Sequence, residues 1–119
     1  MKNFTKVSVV PGARTELHDS LSLTGAEISV NDLPAGTGVP FVHSHKQNEE
    51  IYGVLSGKGK AVIDEETVEL SAGDWIRVAP AAKRQFSAAE DSAISFLCIQ
   101  VKENSLEGYT MEDGVVEEV

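Results

Sequence analysis

The feature that most constrains this chain is its punctuation: short apolar or alternating runs are separated by turn residues at nearly regular spacing, and no longer stretch keeps a 3.6-residue apolar period. A helical bundle is excluded, and a mostly β domain is expected. Ala26, Ile28 and Val30 alternate with Glu27, Ser29 and Asn31, after which Leu33-Pro34-Ala35-Gly36-Thr37-Gly38 cannot continue a central strand. Extended runs follow at 41–45 and 50–56, then a turn at Gly57-Lys58-Gly59 and a run at 60–63. Further runs are read at 67–70, 75–78, around 84–87 and at 93–101, with breaks at Ser71-Ala72-Gly73-Asp74 and Ala79-Pro80-Ala81-Ala82. At 119 residues this is one domain with one core, and many short strands in one small domain predict a sandwich or barrel.

Ten basic residues against nineteen acidic ones give a net charge of -9, which disfavours nucleic acid and anionic membrane surfaces as partners. The first twenty residues hold no apolar run of signal-peptide length, and no window approaches the twenty or so apolar residues needed to span a bilayer. A soluble, cytoplasmic protein is therefore expected. The lone cysteine, Cys98, has no intramolecular disulfide partner and shares strand parity with Ile94 and Phe96, which predicts a buried thiol. Residues 102–119 form an acidic arm, with Leu106, Tyr109, Met111, Val115 and Val116 available to pack on the domain or on a neighbouring subunit.

The chemistry concentrates in HSHKQNEEIYGVLSGKG, residues 43–59. On an extended segment His43 and His45 point to one face while Ser44 points to the other, so two nitrogen donors share a space. Glu49 and Glu50 are adjacent, and only one of them can join that face. Parity groups Glu50 with Tyr52, Val54 and Ser56, and a carboxylate added to two imidazoles makes a three-ligand metal set.

The run Gly38, His43-Ser44-His45, Glu50 and Gly57 resembles the first motif of the cupins, in which a glycine precedes HxH, a glutamate follows, and a glycine closes six residues later. The spacing picks Glu50 over Glu49; only Gly38 is displaced, by one residue. Gly73-Asp74 through Phe86 resembles the second motif, so the likeness covers about residues 20–101. It implies a single-domain cupin jelly roll, with 20–101 as the barrel and 102–119 as an arm, and it implies a homodimer.

The resemblance further implies that His43, His45 and Glu50 bind one divalent metal inside the barrel, with Fe, Mn, Ni and Zn all suited to the donors. The family's fourth ligand, a histidine of the second motif, is missing here. Counting from Gly73 puts Arg84 at its place, whereas counting from Pro80 puts Gln85 there. Gln85 would offer a neutral carbonyl oxygen as a possible fourth ligand; Arg84 has no lone pair and would instead orient an anion, or pair with Glu50 in a metal-free pocket. Tyr52, on the face of Glu50, is a candidate acid/base or positioning residue. The expected ligand is a small anionic metabolite, bound or transformed, and the alternative is a non-catalytic binding barrel with a degenerate site. Trp75 is expected in the core or an interface, and His18 at the surface.

Overall fold

The computed structural model describes residues 2–117. Its strands are β1 (Arg14–Glu16), β2 (Glu27–Leu33), β3 (Asn48–Ile63), β4 (Glu66–Ser71), β5 (Trp75–Val78), β6 (Arg84–Ala88) and β7 (Ile94–Lys102), with one short helix, α1 (His18–Leu21), and a 3-10 turn at Thr110–Glu112. Every pairing is antiparallel. The all-β jelly-roll expectation holds.

Strand β3 organises the barrel. Its first half lies between β7 and β5, with Glu50 opposite both Gln100 and Val78, and its second half lies between β4 and β6, with Ala61 opposite both Val68 and Phe86. The strand passes from one sheet to the other through a register shift between Val54 and Ser56 and through Gly57, whose φ of 77° favours glycine. A Cβ at Gly57 would stand 1.8 Å from the Ala93 carbonyl oxygen, so no other residue fits. The expected turn at Gly57-Lys58-Gly59 is therefore a bend inside one sixteen-residue strand. Glycine marks a barrel corner as readily as a chain reversal, which explains the difference.

The run expected at 41–45 is no regular strand. Pro40 has no N–H, and the segment beside β6 makes only isolated contacts: Gly38 bridges Ser87, and His43 bridges Arg84. The His43 N–H donates to the Arg84 carbonyl at 3.1 Å, and the Arg84 N–H returns a bond at 3.0 Å.

Tyr52, Val54, Ala61, Leu70, Val78, Phe86, Ala88, Ile94, Phe96 and Cys98 form the core. Tyr52 stacks on Phe86 at 4.1 Å between ring centroids, and Phe86 on Phe96 at 5.5 Å, so aromatic rings fill the barrel interior. Each such pair contributes roughly 0.5–1.5 kcal/mol beyond burial. Strand β2 turns Ser29 and Asn31 inward, where the Asn31 amide donates to the Ser29 hydroxyl at 3.0 Å. Ile28 and Val30 lie on its outer, half-buried face. Trp75 is not core: it is 58% exposed, lying over Gly53 on the same outer surface. His18 is exposed beside Asp19. Beyond β7, Leu106, Tyr109, Met111, Val115 and Val116 are exposed. Among the described residues no helix is long and apolar enough to cross a membrane.

Candidate metal centre

Three elements bring the site together. Strand β3 turns Glu50 inward beside Tyr52; the backbone bridge to Arg84 fixes His43; and the His45 N–H donates to the Pro80 carbonyl at 2.8 Å. His43, His45 and Glu50 each offer a ligand atom, all within 4.8 Å of one another. His43 Nε2 lies 3.5 Å from Glu50 Oε1, and His45 Nε2 lies 3.3 Å from Oε2. Donors bonded to a common ion at about 2.0–2.2 Å stand roughly 3.0–3.5 Å apart, and the separation of each imidazole from the carboxylate falls in that range. His43 Nδ1 and His45 Nε2 are buried without hydrogen-bond partners, an arrangement that costs free energy unless something completes it.

Glu50 is held at both oxygens. Oε1 accepts from the Tyr52 hydroxyl at 2.5 Å and from Arg84 Nη1 at 2.7 Å; Oε2 accepts from the Cys98 thiol at 3.2 Å. A carboxylate has about four acceptor sites, so one remains on Oε2, the oxygen nearest His45. Burial alone would raise the Glu50 pKa, but hydrogen bonds from Tyr52, Arg84 and Cys98 outweigh it and hold the carboxyl at about 2. Burial lowers the His43 pKa, opposed by Glu50 and reinforced by His45 and Arg84. An anionic carboxylate and a neutral imidazole are the protonation states a metal requires.

Counting from Gly73 matches where the side chains point. Arg84 is inward and 0% exposed, whereas Gln85, one residue on, faces the other side and donates from its amide to the Val39 carbonyl at 2.9 Å. Gln85 is not brought to the cluster, because adjacent strand residues point oppositely and only one can face Glu50. The Arg84 guanidinium is pinned: beyond Glu50, Nε donates to Ala82 O, and Nη2 lies within bonding distance of Ala79, Pro80 and Ala82 O. Of its five N–H groups only one, on Nη1, stays uncommitted. Arg84 therefore presents its charge and a single uncommitted donor.

The Tyr52 hydroxyl is likewise committed to Glu50. Burial first, then Cys98 and Glu50, raises the phenol pKa far above its ordinary value. It is a neutral donor rather than a titrating acid or base. Cys98 is buried as expected, and its thiol also belongs to this polar cluster. Its parity with Ile94 and Phe96 was the available signal for burial, but nothing in one sequence shows that it pairs with Tyr52 across two strands. Burial, then the charge and hydrogen bond of Glu50, pushes its pKa up to about 12, so it remains a thiol.

With fold and cluster established, comparison with known proteins gives the class. The cupin domain family matches residues 29–100, and the chain belongs to that family. A crystal structure of a cupin protein from Bacteroides fragilis is 72% identical, with a TM-score of 0.96 over 99% of this chain and all of that one. An uncharacterized protein of Methanocaldococcus jannaschii is 30% identical over 66 residues; the match covers 56% of this chain and about half of that curated relative, 52%. A predicted oxalate decarboxylase from Thermotoga maritima shares the fold at 24% identity, with a TM-score of 0.59 over 63% of this chain and 64% of that one.

Proposed function

We propose that this cupin holds one divalent ion on His43, His45 and Glu50 Oε2 and takes a small anion at the remaining coordination positions. The observation that carries the reading is the buried Arg84 guanidinium 2.7 Å from Glu50. Its charge cancels that of the carboxylate, so a bound divalent ion would leave the centre with about two uncompensated positive charges. Two imidazoles and one carboxylate suit Fe, Mn, Ni or Zn alike. Such an ion supplies Lewis acidity toward a bound oxygen atom. The chain's own groups do the rest: Tyr52, Arg84 and Cys98 orient Glu50, Arg84 adds charge and one free N–H, and the stack of Tyr52, Phe86 and Phe96 fills the interior.

Water-proton relaxation of the Mn(II)-loaded protein tests the anion. Oxalate should displace bound water and lower the relaxivity, whereas neutral oxamide should not. Equal response to both would defeat the reading.

The second reading is a non-catalytic binding barrel without metal, in which the Arg84–Glu50 pair stands in for the ion. The short contact between those two groups is the observation in its favour. The unpartnered His45 Nε2 and the unused acceptor site on Oε2 favour the metal instead. We also propose a homodimer, supported by the apolar outer surface of β2, β7, β3 and β5, where Leu55 and Trp75 are exposed and Ile28, Val30, Ile51 and Ile99 are half covered.

A further inference from the structure

Cys98 lies on β7 directly opposite Tyr52 of β3 and Ser29 of β2, and is 5% exposed. Glu50 is opposite Gln100, so the thiol reaches it along the diagonal between two neighbouring strands, at 3.2 Å from Oε2. A carboxylate at the end of a flexible side chain has a broad, nearly two-fold terminal torsion, so its two oxygens can exchange places or twist unless both are held. Tyr52 and Arg84 hold Oε1 only. Among the described residues, Cys98 supplies the one side-chain hydrogen bond donated to Oε2.

We propose that Cys98 is a positioning residue of the metal centre: its S–H anchors Oε2 and presents the oxygen's remaining acceptor site to the space beside His45. The role rests on the metal reading above and extends it outside the three ligands. Without the thiol, Glu50 keeps its charge and its bonds to Tyr52 and Arg84 but loses the restraint on the oxygen that faces the imidazoles. Groups that hold a metal ligand typically change affinity about 10–100-fold when removed. A thiol kept only to fill core space would affect folding and leave affinity alone.

The discriminating experiment measures Co(II) affinity, by competition with a chromogenic chelator, and the visible Co(II) spectrum for the wild type, C98A, C98S and C98V. Valine fills the sulfur's space without a donor, and serine restores a donor in less space. C98A and C98V should bind Co(II) about 10–100-fold more weakly with an altered spectrum, while C98S recovers to within a few-fold of the wild type. The proposal is overturned if folded C98V binds like the wild type, or if C98S is as weak as C98V at an unchanged melting temperature. Should C98A fail to fold, the comparison of C98V with C98S decides alone. A wild type that binds no Co(II) overturns both the metal reading and this one. Tight wild-type binding that is indifferent to C98V overturns only the role of Cys98.

Discussion

Arg84→Met separates the buried charge from the packing around it. Methionine is unbranched and replaces the aliphatic stem of Arg84, ending short of the guanidinium and carrying none of its donors. Arg84 makes one charge-assisted bond to Glu50 at 2.7 Å and also bonds the carbonyls of the loop from Ala79 to Ala82. Leaving a buried partner charge uncompensated costs about 3–5 kcal/mol; of the three loop carbonyls that lose a donor, the one on exposed Ala79 can turn to water, while those of buried Pro80 and half-buried Ala82 add to the loss. We expect a loss of about 4 kcal/mol at pH 7, which moves the urea midpoint down by about 2 M at a slope near 2 kcal/mol/M. Far-UV circular dichroism reports it.

The pH dependence supplies a second, signed test of the same substitution. Glu50 falls from an ordinary value near 4.5 to about 2 on folding, so its contribution is present above pH 4.5 and lost as pH drops from there toward 2. The difference of about 2.5 units corresponds to roughly 3 kcal/mol. In R84M burial of Glu50 is less opposed, its folded pKa rises, and that acid-dependent loss shrinks. The stability gap between wild type and variant should therefore narrow below pH 4.5. In E50Q no carboxylate needs a counter-charge, so R84M should cost less there than in the wild type. A cost under about 1 kcal/mol, or a gap constant from pH 7 to pH 3, would refute the reasoning.

Other expectations follow from the same geometry. Gly57→Ala forces a Cβ against the Ala93 carbonyl at a φ of 77° and should cost more than about 3 kcal/mol, read as loss of soluble protein or a sharply lowered melting temperature. Trp75→Lys puts a charge on the exposed apolar surface and should shift a dimer toward monomer in sedimentation velocity; a wild type already monomeric at high concentration contradicts the proposed dimer. Gln85→Ala should leave metal affinity within about two-fold, because the Gln85 amide bonds Val39 and not the cluster; a ten-fold loss would reinstate Gln85 as a ligand.

Much of the fold was legible because it depends on local pattern. The alternation in β2 and in the first half of β3 located those strands, and HxH parity with the glycine spacing brought His43, His45 and Glu50 into one cluster. What stayed hidden was set by tertiary context. Gly57 reads as a turn, yet it is the corner where one strand changes sheets, and the difference lies in the approach of Ala93. Residues 41–45 have the composition of a strand, yet Pro40 and the intermittent contacts with β6 leave only bridges. The register around Arg84 and Gln85 could not be fixed by counting, because a one-residue insertion flips the facing side chain. The link between Cys98 and Glu50 crosses two strands 48 residues apart, beyond the reach of any local pattern.

The central claim is that His43, His45 and Glu50 form an occupied metal centre, and metal analysis by inductively coupled plasma mass spectrometry tests it most directly. The protein should be purified without an affinity tag or chelator from cells supplied with Fe, Mn, Ni and Zn. The account predicts about one divalent ion per chain, reduced to a small fraction in H45A while the fold is kept. Substoichiometric metal in the wild type, unchanged by H45A, would contradict it and leave the Arg84–Glu50 pair as the resident of a metal-free barrel.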